Sequence, residues 1–433
     1  MKTSEPTSAS SSVVTHPVRK VLLDIGSTGF WQAAGKLAQV FGLLHAMDCL
    51  GGANAGISGR VMGTAMLLQV ILTLGIDVVA VRHIAAQTQS LKQLLPVIFS
   101  ARLLLHGGIA TLWAVATWIA PLSPAETFAW LVGGLYLLVI GMNYQWYYQA
   151  TERMPALSRI QTLTTFAISA YFLLVFKPGE AAGSDLLVLA LGHGSVTVWV
   201  WFRVKKETGA RMLTLSFVGE AIQLLKEGQA NWLFGVGYNA LTLLGLILIP
   251  FLVPNAVRDT ELGYFRASNQ LALALQLILT YVGYIFYPKI VTWRKQRLKG
   301  FRLRVFGLAG AVWAIGLLSA ALIITLGEPV FQIAYQNPDF HPGFRILPIM
   351  VLAKFIGMAS GFLTWGLLAE HKDWLATKCC MLPVAITTAL HFWFVPESGY
   401  VAAGWLYLLG EVLLFITCSL AFLRLDLSHS KIP

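Results

Sequence analysis

Three basic residues stand inside apolar runs of this chain, and each has polar neighbours at helical spacing: Lys36, Arg266 and Lys354. Gln32, Lys36 and Gln39 fall at i, i+4 and i+7, one stripe of a helix. Asn231, Gly235, Tyr238, Asn239 and Thr242 form a second stripe; Arg266, Asn269, Gln270, Gln276 and Thr280 a third; Lys354, Gly357, Gly361 and Thr364 a fourth. The chemistry open to these sets is recognition. Arginine forks and lysine point charges hold phosphate well, and amides hydrogen-bond hydroxyls. Arg60, at the end of another apolar run, is a fifth contributor or a side chain that snorkels to the interface, and Arg266 is open to the same alternative. Lys354 either meets a cavity or pairs with a carboxylate. The embedded acids Asp24, Asp77, Glu220 and Glu411 are few and mostly near run ends, so a cavity with this balance suits an anion.

Three further charges are candidates for moving parts. Asp77 and Arg82 bracket one end of an apolar run, as gate contacts or as plain helix-end charges. Glu411 lies mid-run, placed to bind a coupling proton or cation, or to make an interhelix hydrogen bond. His106, His193 and His391 occur singly on separate runs and read as packing residues. Cys49, Cys379, Cys380 and Cys418 show neither metal spacing nor a disulfide framework. Trp146, Tyr147 and Tyr148 resemble part of an aromatic interface belt. No nucleophile elbow, Walker loop or HExxH motif occurs, which removes the basis for ATP-driven work and familiar hydrolysis. No metal or other cofactor is expected.

Such stripes need helices in lipid to hold them. The chain has 433 residues, 57% hydrophobic and 12% charged, with a mean hydropathy of +0.69. Soluble domains carry about 25% charged residues, so this composition could not cover water-facing surfaces. Apolar stretches long enough to cross a hydrocarbon core of about 30 Å recur near 21–46, 58–81, 95–120, 125–149, 156–176, 185–203, 228–253, 262–288, 303–326, 344–369, 374–395 and 399–423. Twelve spans put both termini on one side. Short cytoplasmic loops hold Lys and Arg in excess, and 24 of the 31 basic residues fall on the side of the termini. Only Arg60, Lys177, Arg258 and Arg345 fall opposite, with Lys36, Arg266 and Lys354 inside spans. The net charge of +11 is therefore mostly orientation, and nucleic acid is not an expected partner.

The halves look weakly related. Leu68–Thr73 reads LQVILT in the second span and Leu275–Thr280 reads LQLILT in the eighth. Aligning them sets Arg60 one position from Arg266 and Arg82 opposite Lys289. Equivalent spans in two six-helix halves are what a transporter repeat predicts. The expected fold is all-α and polytopic, about twelve transmembrane helices in two six-helix lobes around a central cavity. Its parts are a disordered tail at 1–20, an N-terminal lobe at 21–204, a linker at 205–227, a C-terminal lobe at 228–424 and a tail at 425–433.

The segment Leu74–Ala86 (LGIDVVAVRHIAA), followed by a polar linker and Arg102, resembles the second-span ending of the bacterial polysaccharide-transport flippases. These belong to the multidrug, oligosaccharidyl-lipid and polysaccharide exporter superfamily. GYFRASNQL at 263–271 is similar to that family's eighth-span start, and YPKI at 287–290 to its end, with further likeness over 329–369. The resemblance implies translocation of an oligosaccharide on a polyprenyl pyrophosphate from the cytoplasmic to the periplasmic leaflet, for exopolysaccharide, capsule or O-antigen synthesis. It also implies a cationic cavity on the first, second, seventh and eighth helices of a bacterial inner-membrane protein. Its partners would be the lipid-linked substrate, the membrane, and the polymerase and glycosyltransferases of the same pathway. A proton, a sodium ion or the membrane potential would drive it. A multidrug antiporter of the same superfamily is one alternative, disfavoured by basic rather than acidic spans. A membrane-embedded polymerase or ligase is another, disfavoured by the short loops.

Overall fold

The computed structural model describes residues 15–425 except 86–88, 152, 215, 216, 296–299 and 371. Among these residues the chain is all helix, without strands. Lipid offers no partner for a free N–H or C=O, so a spanning segment must satisfy its own backbone, and apolar runs of this length do so as helices. The helices are α1 (Thr15–Leu72), α2 (Ile76–Ala85), α3 (Leu91–Ile119), α4 (Pro124–Gly141), α5 (Gln145–Ala150), α6 (Met154–Val175), α7 (Ser184–Thr208), α8 (Phe217–Leu252), α9 (Arg258–Lys295), α10 (Phe301–Ala334), α11 (Leu347–Ala369) and α12 (Asp373–Arg424). A 3-10 segment, Pro338–Ile346, precedes α11.

Eight helices among the described residues are long and apolar enough to cross a membrane. Two of them are too long to cross once. At about 1.5 Å per residue a straight α1 would run about 87 Å and α12 about 78 Å, against about 30 Å of hydrocarbon. Each breaks at a glycine with positive φ, Gly51 (φ 73°, ψ 168°) and Gly399 (φ 54°, ψ −137°), both outside the small left-handed well that other residues can enter. Each therefore supplies two crossings. Two other breaks were not foreseen: α1 and α2 are separated at 73–75, where Leu74 and Gly75 both have positive φ, and α4 and α5 at 142–144.

Boundaries also differ from hydropathy. α1 begins at Thr15, inside the expected 1–20 tail, and residues 1–14 lie outside the described ones. α7 runs to Thr208 and α8 starts at Phe217, so most of the expected 205–227 linker is helical. Residues 426–433 of the expected C-terminal tail lie outside the described residues. Hydropathy marks the part of a helix that lies in lipid, and these helices continue into the polar layer.

Helices α1–α7 pack among themselves, as do α8–α12. Small residues let neighbours approach closely: a Cβ on Gly35 would lie 2.9 Å from Thr162 Oγ1, and one on Gly42 2.8 Å from Ser169. The outward faces are apolar, with Trp118, Leu174, Phe251, Leu303 and Trp393 exposed. These side chains are the surface offered to lipid. The molecule is thus a multi-pass membrane protein.

The lobes meet at two levels. Away from the termini α1 touches α9 with backbone against backbone: a Cβ on Gly263 would be 2.3 Å from the Gly52 carbonyl, and one on Gly56 only 1.8 Å from the Asp259 carbonyl. The Asn337 amide donates to Asp48 Oδ1 at 2.6 Å beside this contact. On the side of the termini α2 meets α8, where Trp232 Nε1 donates to the Ile71 carbonyl at 3.0 Å.

Candidate functional site

Between the lobes lies a cavity of about 420 Å³, walled by α1, α4, α7, α8, α9, α11 and α12. Its charged wall residues are Lys36, Arg266 and Lys354, all basic. Gln39, Asn239, Asn269 and Gln270 line it with them. Residues of three stripes, on α1, α8 and α9, thus converge on one space, joined by Lys354 alone from the fourth, whose Gly357, Gly361 and Thr364 do not line it.

The three cations are held differently. Lys36 keeps its solvent access on the wall and donates to Gln39 Oε1 at 2.9 Å, one helical turn away. Arg266 is 3% exposed. Its Nη1 donates to the Ala55 carbonyl and its Nη2 to Asp185 Oδ2, each at 2.7 Å. A guanidinium has five donors, so two such bonds fix its plane and leave others for a ligand. Lys354 sits with its Nζ 4.9 Å from the centre of the Tyr407 ring, a cation–π distance. Glu411, wholly buried, interacts electrostatically with it. Both acids stand behind the wall. The cavity surface is cationic even though Arg266 and Lys354 have buried countercharges, which is how buried cations are retained in an apolar interior.

Other expected residues fall elsewhere. The side chain of Gln32 lies outside the described residues. Asn231 is about two turns from Asn239 along α8 and is not on the cavity wall. Arg60 belongs to a different cavity, against α3 and α4. The reason is angular: Met62 and Met66 of the same helix face the central cavity, while Arg60, Thr64 and Leu68 turn to the other side. Arg60 Nη2 donates to Glu126 Oε1 at 2.9 Å and its guanidinium lies 5.7 Å from the Trp130 ring centre. Asp77 accepts from Arg102 Nη2 at 2.5 Å within its own lobe, so it makes no contact between lobes through that pair. Arg82 does reach across, with Nη2 3.9 Å from Asp373 Oδ1. Its neighbour His83 lies 2.8 Å from Glu227 Oε2, also across the lobes.

This arrangement of helices is known from solved structures. The lipid II flippase MurJ in an inward closed conformation superposes with a TM-score of 0.69 at 11% identity, covering 92% of this chain and 86% of that one. The chain has the fold of the multidrug, oligosaccharidyl-lipid and polysaccharide exporter superfamily. Within this exporter fold, a mutant form of the Vibrio cholerae MATE transporter VcmN gives a TM-score of 0.60 at 13% identity over 94% of this chain and 97% of that one. A superfamily transporter from Pyrococcus furiosus, described by the reverse polarity of its binding pocket, gives 0.58 at 13% over 92% and 94%. No family model and no curated protein matches the sequence.

Three wall or support residues of this exporter fold escaped the sequence reading. Asp185 looked like an ordinary acid in the first turn of a helix, a common and unremarked position. His193 faces the cavity with Lys36 and does not merely pack, whereas His106 and His391 are buried and bond to carbonyls of their own helices. Tyr136 enters from α4, a helix with no polar stripe. An acid at the very start of a predicted span (185–203) was the signal available for Asp185, yet its partner is 81 residues away.

Proposed function

We propose that this protein is a flippase that carries a polyprenyl-pyrophosphate-linked oligosaccharide from the cytoplasmic to the periplasmic leaflet of a bacterial inner membrane by alternating access, without enzymatic chemistry. One observation carries the reading: among the described residues every charged side chain on the wall of the central cavity is basic, and amides surround them. The pyrophosphate meets Lys36, Arg266 and Lys354, while Gln39, Asn239, Asn269 and Gln270 bond the sugar hydroxyls. At about 420 Å³ the space lies within the usual range of ligand sites, roughly 300–1,000 Å³. The polyprenyl tail stays in the bilayer, since a cavity gains nothing over lipid for it. Arg82 and Asp373 serve as a gate contact, and Glu411 beside Lys354 as the coupling candidate. The drive is a proton, a sodium ion or the membrane potential, and a polymerase and glycosyltransferases of one pathway consume and supply the cargo. The neighbouring fold of a lipid II flippase supports the class of cargo; an antiporter of organic cations would want acids on the wall.

Lys36 is the residue to test, because it bonds only within its own turn and its loss strands no buried charge. Lys36→Ala should lower delivery of lipid-linked oligosaccharide to the far leaflet by about tenfold or more, one charge-assisted contact being worth about 1.5–3 kcal/mol. Lys36→Arg should restore most of it. Full translocation by Lys36→Ala at normal protein level would sink the site.

A further inference from the structure

The larger cavity of about 690 Å³ that takes Arg60 lies apart from the central one, between α1, α3 and α4, and α9 touches its mouth through Arg258. One end is charged and the rest is apolar. At the charged end Arg60 Nη2 and Arg258 Nη2 both donate to Glu126 Oε1, at 2.9 and 3.5 Å, and Arg60 lies 3.9 Å from Asp259. Arg60 is 7% exposed, and its Nε has no hydrogen-bond partner. The wall itself carries two basic residues and one acid, and Asp259, just off the wall, lies 3.5 Å from Arg258 Nε, so the two arginines face the slot in front of two acids. A donor left unmade in so apolar a place costs free energy unless something comes to accept from it.

The apolar part has the length of half a bilayer. Along α3 the wall runs from Ile109 to Ala120 at the helix end. Eleven residues of rise span about 16 Å, and half of a hydrocarbon core is about 15 Å. Ala116 and Leu112 on this stretch are exposed on the lipid side, so the slot opens to the membrane. The charged end sits where α3 ends and α4 and α9 begin, the level at which lipid headgroups lie.

We propose that this lateral slot is a binding site for one anionic glycerophospholipid of the leaflet opposite the termini. The phosphate accepts from Arg60 Nε and from Arg258, and an acyl chain lies along the stretch between Leu68, Ile109 and Trp113. Arg258 belongs to the second lobe and Arg60 to the first, so the headgroup rests on the seam between them. The site is separate from the cargo cavity, and its test does not depend on transport.

Purified protein is incubated with phosphatidylglycerol or phosphatidylcholine of the same chains, and retained lipid is counted by native mass spectrometry. The wild-type chain should retain phosphatidylglycerol about tenfold more strongly, the effect of one or two charge-assisted bonds. Ala116→Trp, which fills the slot from its lipid side, should lose retention of both lipids. Arg258→Gln should keep the lipid but lose the preference. Equal retention of the two lipids by the wild type, unchanged phosphatidylglycerol on Ala116→Trp, or competition by polyprenyl phosphate alone would each overturn the assignment. Should Ala116→Trp not fold, Arg258→Gln at the half-buried helix start decides it through the preference.

Discussion

The two levels at which the lobes meet are built from different materials. Away from the termini the contact is backbone against backbone where Gly52 and Gly56 of α1 meet α9 around Gly263, and beside it Arg266 is bound to both a carbonyl of α1 and Asp185 of α7. On the side of the termini the cross-lobe contacts among the described residues include the ion pair of Arg82 with Asp373 and the close approach of His83 to Glu227, and Arg82 is 59% and Glu227 40% exposed. A buried pair is costly to break from one side, whereas an exposed pair contributes about 0–1 kcal/mol. The far junction therefore acts as a seal and the near one as a latch. An alternating-access protein in this state would open toward its termini first, because that is where less must be broken.

Removing the guanidinium from the seal should have the largest effect. Arg266→Ala leaves Asp185, 1% exposed, with an uncompensated charge, and one-sided loss of a buried pair costs about 3–5 kcal/mol. Thermal unfolding in detergent should show a clear fall in midpoint. Arg266→Ala with Asp185→Asn should recover much of it, since no bare charge remains. If the double variant is no more stable than the single one, the seal does not rest on that pair.

Next in size is the close approach of the backbones. Gly56→Ala would place its Cβ 1.8 Å from the Asp259 carbonyl, so α1 and α9 must part. Overpacking of this kind costs about 1–3 kcal/mol. The more specific expectation is a change of state: a cysteine placed on the cavity wall as Asn269→Cys should become accessible to a membrane-impermeant thiol reagent from the side away from the termini. Unchanged accessibility would mean the helices part elsewhere and the glycines are only packing.

Much of this comparison could be read in the residues beforehand, and part could not. The convergence of Lys36, Asn239, Arg266, Gln270 and Lys354 was legible because a helix facing water must show a polar stripe at its own period. That the chain crosses the membrane many times, with α1 and α12 each split into two crossings, was legible because lipid thickness sets a length. Asp185, Glu126 and Asp373 were not, since which acid meets a given arginine depends on tertiary contacts between residues 66, 81 and more positions apart. Arg60 went to the wrong cavity for a related reason: one residue on an apolar helix has no stripe around it to say which way it faces. The break at Leu74 lies within an apolar run and carries no hydropathy signal, whereas the one at 142–144 falls where Asn143 and Gln145 begin a polar stretch that the expected span to 149 ran through.

The latch should give the smallest change in stability and a clear one in access. Arg82→Ala removes a pair at 3.9 Å with an exposed guanidinium, so the unfolding midpoint should barely move. If that pair helps hold the near side shut, its loss by up to about 1 kcal/mol raises the population open toward the termini by up to about fivefold. Lys36→Cys on the cavity wall reads this directly as the rate of thiol labelling from that side; the native cysteines among the described residues are buried. Reversing the charge with Arg82→Asp should speed labelling further by setting two acids together, and adding Asp373→Arg should return it toward the starting rate. Equal labelling in all of these variants would show that the lobes are held there by the packing of α2 and α3 against α8, with Gly75, Gly228 and the Trp232 bond to the Ile71 carbonyl, and that the charged pairs only decorate the contact.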